Sequence, residues 1–344
     1  MFAAMRSDKM QALHLFSDEA TGLEAIIAIH NTRLGPALGG CRYMPYASIE
    51  AASADAMRLA RGMSYKAALA GLEQGGGKAV IIRPAHVPDR AALFEAFGRC
   101  IESLRGGYIT AVDSGTSSQD MDCIAQQTGH VTSTRQAGDP SPHTALGVLM
   151  GIKAAARRQL GQESLAGVRV MLQGLGNVGY ALAEMLVAEG ADLLVADLDA
   201  GKVRMAEDDL GATPIAPDAV FEAPCDIFAP CGLGGVLTPA SIAQLRCAAV
   251  AGAANNQLIN SDAADLLDAR GILYAPDYVI NAGGLLHVAL THQGVAAGEI
   301  AARVRLVGDR LDSIFAQSLA EGRSPSEIAD HQAEAIIYAD LALS

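Results

Sequence analysis

Lysine is scarce in these 344 residues, with five against twenty arginines. Positive charge is short overall: 25 Lys and Arg face 38 Asp and Glu, a formal net charge of -13, which excludes a basic footprint for nucleic acid or an anionic membrane surface. No apolar run approaches the roughly 20 residues of a membrane span, and the opening MFAAMRSDKMQ lacks a secretory core. The six cysteines, Cys41, Cys100, Cys123, Cys225, Cys231 and Cys247, have no CxxC spacing. That argues against a disulfide framework or zinc cluster and for small buried side chains. Eight histidines show neither HExxH nor another paired-ligand spacing, so no metal is implied. Repeats, low-complexity tracts and long charge blocks are also missing. What is present is 51% hydrophobic residues and 36 glycines, at a length suited to about two domains. The expectation is a soluble, cytoplasmic α/β protein.

Against that scarcity, two of the five lysines, Lys66 and Lys78, lie twelve apart in RGMSYKAALAGLEQGGGKAVII. A guanidinium stays charged, whereas an ammonium's proton affinity is tuned by burial or a neighbouring cation, so a lysine pair suits a site that holds an anion and moves a proton. Two ammoniums about 6 Å apart at an effective dielectric near 20 repel by roughly 3 kcal/mol, which would drive one toward its neutral form. Gly75, Gly76 and Gly77 would let bare backbone approach a small ligand and present Lys78 at a strand start. Asp113 in YITAVDSGT ends an apolar strand, just before a helix capped by Ser117 or Ser118.

The one clear linker signal is TRQAGDPSPH, Thr134 to His143, where Gly138, Pro140 and Pro142 interrupt periodic sequence. Before it, Leu23 to His30, Lys78 to Ile82 and Tyr108 to Val112 read as strands, with helices at about 48 to 63 and 90 to 104. After it, helix Thr144 to Arg158, strand Val168 to Gln173, a helix from about 177 and strand Leu193 to Asp197 begin an alternation that argues for a parallel doubly wound sheet. Apolar positions at helical spacing follow Glu299, and a last helix follows Ser324 and Pro325; these terminal helices are expected to return to the first domain.

Gly174, Gly176 and Gly179 in VMLQGLGNVGYALAEM sit between an apolar strand and an amphipathic helix, with Asp197 ending the next strand. In that context GxGxxG predicts a dinucleotide site. Gly174 permits the tight turn; Gly176, with Asn177 and Val178 at the helix start, lets N–H groups approach a pyrophosphate; Gly179 lets helix and strand pack closely. Asp197 would accept hydrogen bonds from ribose hydroxyls and repel a 2′-phosphate, favouring NAD, although Lys202 and Arg204 nearby leave residual NADP use open. Asn255 and Asn281 follow buried strands, where side chains face the nucleotide crevice of such sheets.

Taken in order, LGPALGGCR, RLARGMSYK, GGGKAVI, YITAVDSGT, GDPSPHTALGV, GLGNVG, APCGLGG, GAANNQL and YAPDYVINAGG resemble the Glu/Leu/Phe/Val dehydrogenase family, most closely its leucine branch. The resemblance implies an N-terminal α/β substrate domain (1–138, also used for oligomerisation), a doubly wound Rossmann NAD-binding domain (139–319) and a C-terminal helix (320–344) packing back on the first, with the active-site cleft between the domains. It implies reversible NAD-dependent oxidative deamination of an L-amino acid to a 2-oxo acid and ammonia. Lys66 would then bind the substrate carboxylate, Lys78 would activate the water that attacks the imine, and Asp113 would relay protons. Thr144 and Asn281 match positions near the nicotinamide, and Asn255 one beside the ribose.

The same resemblance places Leu38, Gly39, Gly40, Ala111, Leu285 and Val288 around the substrate side chain. Leu38 and Val288 stand where glutamate enzymes carry a lysine and a hydroxyl, and a second carboxylate buried there without a partner would cost several kcal/mol. Ala111 looks like the leucine branch and Leu285 like the aromatic branch. The expected substrates are therefore branched aliphatic (leucine, valine, isoleucine), with an aromatic amino acid dehydrogenase as the alternative and a non-catalytic NAD-binding regulator as a remote one. Ser114, Val112, His287 and Leu290 depart from the family's usual residues. The chain is also shorter than many leucine enzymes, so a homodimer is the default expectation, with a larger homo-oligomer open.

Overall fold

The computed structural model describes residues 1–84 and 89–339. Two compact units divide it: Met1–Asp139 with Val288–Val295 and the chain from Ala333, and Pro140–His287 with Ala296–Gln332.

In the first unit, Leu23–Asn31 is buried at every position but Glu24, on both faces, as expected of a central strand. It is β2 in a five-stranded sheet with β1 (Ala12–Asp18), β3 (Ala37–Met44), β4 (Gly75–Ile82) and β5 (Tyr108–Val112), ordered β1-β2-β4-β3-β5. β3, β4 and β5 run parallel, while β2 opposes β1 and β4. The helices are α1 (Phe2–Ser7), α2 (Ile49–Leu69), α3 (Arg90–Ser103) and α4 (Ser118–Ala125). α2 covers one face, where Ala52, Ala56, Met57 and Ala60 pack on Ile26, Ala28 and Val80. α3 and α4 cover the other, where Phe94, Phe97, Met121 and Ile124 pack on Ile27, Ala79 and Ile81. Ser117 caps α4 through a reciprocal capping box with Asp120.

The triple glycine departs from the sequence expectation. Gly75, Gly76 and Gly77 lie inside β4, and Lys78 sits mid-strand rather than at its start. Their missing side chains admit the protein's own neighbours: a Cβ would fall 1.8 Å from the Asn31 carbonyl oxygen at Gly75, 2.1 Å from the Ser64 nitrogen at Gly76, and 2.8 Å from the Tyr108 ring at Gly77. The glycines therefore seat β2, α2 and Tyr108 against β4.

In the second unit the helices are α5 (Ser141–Leu160), α6 (Asn177–Ala188), α7 (Ala200–Leu210), α8 (Pro239–Gln244), α9 (Asp262–Ala269), α10 (Asp277–Ile280), α11 (Gly283–His292), α12 (Ala297–Glu321) and α13 (Pro325–Ile337), the last turns of α11 and α13 falling in the first unit. The strands are β6 (Arg169–Gln173), β7 (Asp192–Ala196), β8 (Thr213–Pro214), β9 (Ile227–Pro230), β10 (Ala249–Val250) and β11 (Leu273–Tyr274). They form a sheet ordered β11-β10-β9-β6-β7-β8 with every neighbouring pair parallel. The chain winds outward from β6 through β7 to β8, then restarts at β9 on the other side, which opens a crevice at the carboxyl ends of β6 and β9. α12 packs along α5 in this unit. Glycines at both contacts bring the helices close, since a Cβ at Gly151 would meet the Leu311 side chain at 2.8 Å and one at Gly308 the Met150 carbonyl oxygen at 3.2 Å.

Candidate active site

The face of the first sheet beneath α2 carries a buried charge cluster. Lys78, on β4, forms an ion pair with Asp113, just after β5, and the two side chains are only 8% and 15% exposed. β3 lies between them, and Gly40 keeps the path open: it pairs with Ala111, and a Cβ there would come within 2.8 Å of the Asp113 Cβ. Asp113 Oδ1 also accepts the Ser114 N–H at 2.6 Å and faces the Arg42 guanidinium at 3.8 Å. Thr116 ties the following turn down by donating to the Cys41 and Asp113 carbonyls, both at 2.9 Å. Burial alone would raise the Asp113 carboxyl, but Lys78, the Ser114 N–H and Arg42 outweigh it and hold the group below the ordinary carboxylate range. Arg42 is held in turn by Asp55 at 2.9 Å, which also accepts from Tyr46 at 2.7 Å and Arg58 at 2.7 Å.

The charge in direct contact with Lys78 is thus an anion. Lys66 lies half-buried in the last turn of α2, the helix that packs on β4. Leu38 and Ala111 are buried on β3 and β5 beside Gly39 and Gly40, giving the cluster an apolar floor. Val288 belongs to the same unit, its carbonyl accepting from the Thr132 hydroxyl at 3.3 Å. Leu285 is half-buried on α11 in the second unit.

In the second unit the turn between β6 and α6 has the geometry expected of its glycines. Gly174 has φ +101°, Gly179 comes so close to the Gly174 carbonyl oxygen that a Cβ would fall 1.9 Å from it, and Gly176 faces open space. α6 begins at Asn177 and Val178 without a side-chain cap, so its first N–H groups are left for an external acceptor. Asp197 accepts the Leu175 N–H at 2.6 Å and the Asp199 N–H at 2.8 Å, fastening this turn to the end of β7. Burial raises its carboxyl, but these N–H groups outweigh that and keep it low. Asn281 donates to Asn255 Oδ1 at 2.8 Å and to the Ala253 carbonyl at 3.0 Å. Thr144, in the first turn of α5, lies against Gly284, where a Cβ would sit 2.6 Å from its hydroxyl. Among the described residues no group of three or more His, Cys, Asp or Glu is placed to hold a metal ion.

Two family profiles match the chain. The first, described as Glu/Leu/Phe/Val dehydrogenase, dimerisation domain, covers residues 10–130, and the second, Glutamate/Leucine/Phenylalanine/Valine dehydrogenase, covers 194–321. A leucine dehydrogenase of Bacillus subtilis is 45% identical over 97% of this chain and 93% of its own. The chain belongs to the Glu/Leu/Phe/Val dehydrogenase family. A phenylalanine dehydrogenase of Bacillus thermotolerans is 42% identical over 94% of this chain and 87% of its own. The crystal structure of L-tryptophan dehydrogenase from Nostoc punctiforme superposes with a TM-score of 0.90 at 40% identity, covering 98% of each chain. Membership of this dehydrogenase family makes the chain an oxidoreductase.

Buried groups near this charge cluster were not singled out by sequence. Arg42 stood within LGGCR without an assigned partner, and its contacts with Asp113 and Asp55 depend on the parallel pairing of β3 that no local pattern marks. Buried His30 on β2 is another: its Nδ1 lies 2.8 Å from the Ser64 hydroxyl and its ring packs edge-on to Tyr65, next to Lys66. Burial, and then Arg61 and Lys9, lower the His30 pKa to about 4. Tyr65 is fixed from outside by Glu334, which accepts its hydroxyl at 2.6 Å.

Proposed function

We propose that this protein catalyses the reversible NAD-dependent oxidative deamination of branched-chain aliphatic L-amino acids to 2-oxo acids and ammonia. The observation that carries the reading is the buried Lys78–Asp113 pair above an apolar floor of Leu38 and Ala111. NAD, when bound, accepts the Cα hydrogen with its two electrons. Lys66 holds the substrate carboxylate, and the resulting imine is hydrolysed by water that Lys78 activates while Asp113 carries protons to and from the nitrogen. The balance is amino acid, NAD+ and water going to 2-oxo acid, ammonium, NADH and a proton. The contact of Lys78 with Asp113, kept open by the bare Gly40 on the strand between them, supports these two roles.

The residues of the second unit fit the cofactor. The uncapped start of α6 would take the pyrophosphate over Gly174, Gly176, Asn177, Val178 and Gly179, and Asp197 would take the ribose hydroxyls; the open space at Gly176 and the low-lying Asp197 carboxyl support this. Thr144, Asn255 and Asn281 would line the nicotinamide and its ribose.

Leu38, Ala111, Leu285 and Val288 choose the side chain. The high identity to a leucine dehydrogenase and the Cβ of Ala111 favour an aliphatic substrate, while the likeness to a phenylalanine and a tryptophan enzyme and the bulk of Leu285 favour the aromatic alternative. Apolar pockets discriminate by about 1 to 3 kcal/mol per methylene, so breadth is expected. Side-by-side reduction of 4-methyl-2-oxopentanoate and phenylpyruvate decides: a higher kcat/KM for phenylpyruvate would reverse the assignment. The description of the first profile as a dimerisation domain supports a homodimer or larger homo-oligomer built through the first unit.

A further inference from the structure

Cys225 and Cys247 stand 22 residues apart in the sequence, but the second sheet brings them together. β9 and β10 pair in parallel with Ile227 opposite Ala249. Just before that pairing the two backbones stay together, Cys225 N–H donating to the Arg246 carbonyl at 3.3 Å and Ala248 N–H to the Asp226 carbonyl at 2.9 Å, which brings Cys225 beside Cys247. Neighbouring strands run about 4.8 Å apart, inside the roughly 4.4 to 6.8 Å that separates the Cα atoms of disulfides. Both side chains pack on the same apolar cluster around Phe228 and Val250, and the two thiols interact with each other. Cys225 is buried, whereas Cys247 is partly exposed and opens the pair to a small solute.

We propose that Cys225 and Cys247 are a modification site: a thiol pair that hydrogen peroxide converts to a reversible disulfide at the amino ends of β9 and β10. The first attack is assigned to Cys225 and the resolving step to Cys247, the partly exposed thiol beside it. Its sulfur attacks peroxide; the O–O bond breaks, an S–O bond forms, and water leaves, giving a sulfenic acid. Cys247 then attacks that sulfur; the S–O bond breaks, the S–S bond forms, and a second water leaves. The two thiols supply both electrons, and a dithiol reductant returns them. The closed loop spans β9, α8 and the turn of Pro230 to Gly235 between them, so oxidation fastens the base of a segment whose other end faces the nucleotide crevice.

The test uses the full-length native protein and one equivalent of hydrogen peroxide, followed by alkylation of the remaining thiols and peptide mass spectrometry without reduction. The expected result is a Cys225–Cys247 linked peptide that disappears with dithiothreitol, with Cys100 and Cys123 alkylated. Cys247→Ser should abolish the link and instead accumulate a dimedone adduct at Cys225, with turnover close to the unmodified protein. Oxidation confined to Cys100 or Cys123, or the same mixture of pairs in native and urea-unfolded chains, would overturn the proposal. A dimedone adduct at Cys247 in Cys225→Ser with none at Cys225 in Cys247→Ser would overturn the assignment of the nucleophile.

Discussion

Replacing Asp113 by asparagine keeps the shape of the side chain and an acceptor for the Ser114 N–H but removes the charge that faces Lys78 and Arg42. Lys78 is 8% exposed, so its ammonium would remain in the interior without its anion. Leaving one member of a buried pair uncompensated costs about 3 to 5 kcal/mol. Arg42 keeps Asp55, which puts the expected loss near the lower figure. About 3 kcal/mol corresponds to a fall of roughly 6 to 12 °C in the melting temperature of a unit this size. The sign with pH follows from the depressed Asp113 carboxyl: its contribution is present above the unfolded carboxylate value of about 4 and is lost as pH falls through the lower folded value. Thermal unfolding followed by circular dichroism should therefore show a constant gap between the two proteins from pH 8 to about pH 5, narrowing below about pH 4. Lys78→Met in the Asp113→Asn background should recover part of the loss, because the stranded ammonium is gone. A gap under about 0.5 kcal/mol at pH 7, or strict additivity of the two substitutions, would refute the ion pair as a stabilising unit.

Gly40→Ala should lower kcat by at least roughly tenfold, with NADH affinity unchanged, because its Cβ would press on Asp113 at 2.8 Å; kinetics and cofactor titration check this. His30 is buried neutral with a pKa of about 4, so its contribution, at most about 3 kcal/mol, is complete above pH 6.5 and is lost as pH falls toward 4. His30→Gln should flatten urea midpoints over that range while keeping a partner for Ser64. Asp197→Ser should raise the NADPH to NADH ratio of kcat/KM by roughly tenfold, about 1.4 kcal/mol, and lower the melting temperature by a few degrees, since the Leu175 and Asp199 N–H groups lose their acceptor.

Strong periodicity and motif context make much of the fold legible in the sequence. Leu23 to His30 and Tyr108 to Val112 are strands, and the helix after Asp113 starts at its Ser117 cap. β3 escaped notice because Gly39 and Gly40 break its apolar pattern, and those same glycines are what let the backbones of β3 and β4 meet and Lys78 approach Asp113. The glycines before Lys78 misled for a related reason: a GGG run reads as freedom, whereas here each position is filled by a neighbour that sequence distance hides. For the charges, the scarcity of lysine and the strand-end position of Asp113 singled out Lys66, Lys78 and Asp113, but which of them touch depends on strand order. Likewise Cys225 and Cys247 are adjacent through the pairing of β9 with β10, which leaves no signature in their spacing.

The most direct measurement of the proposed activity follows NADH absorbance with 4-methyl-2-oxopentanoate, with and without ammonium, and identifies the product. NADH consumption that requires ammonium and yields leucine is the expected result. Consumption without ammonium, yielding a 2-hydroxy acid, would contradict the assignment of Lys78 and Asp113 to amine chemistry.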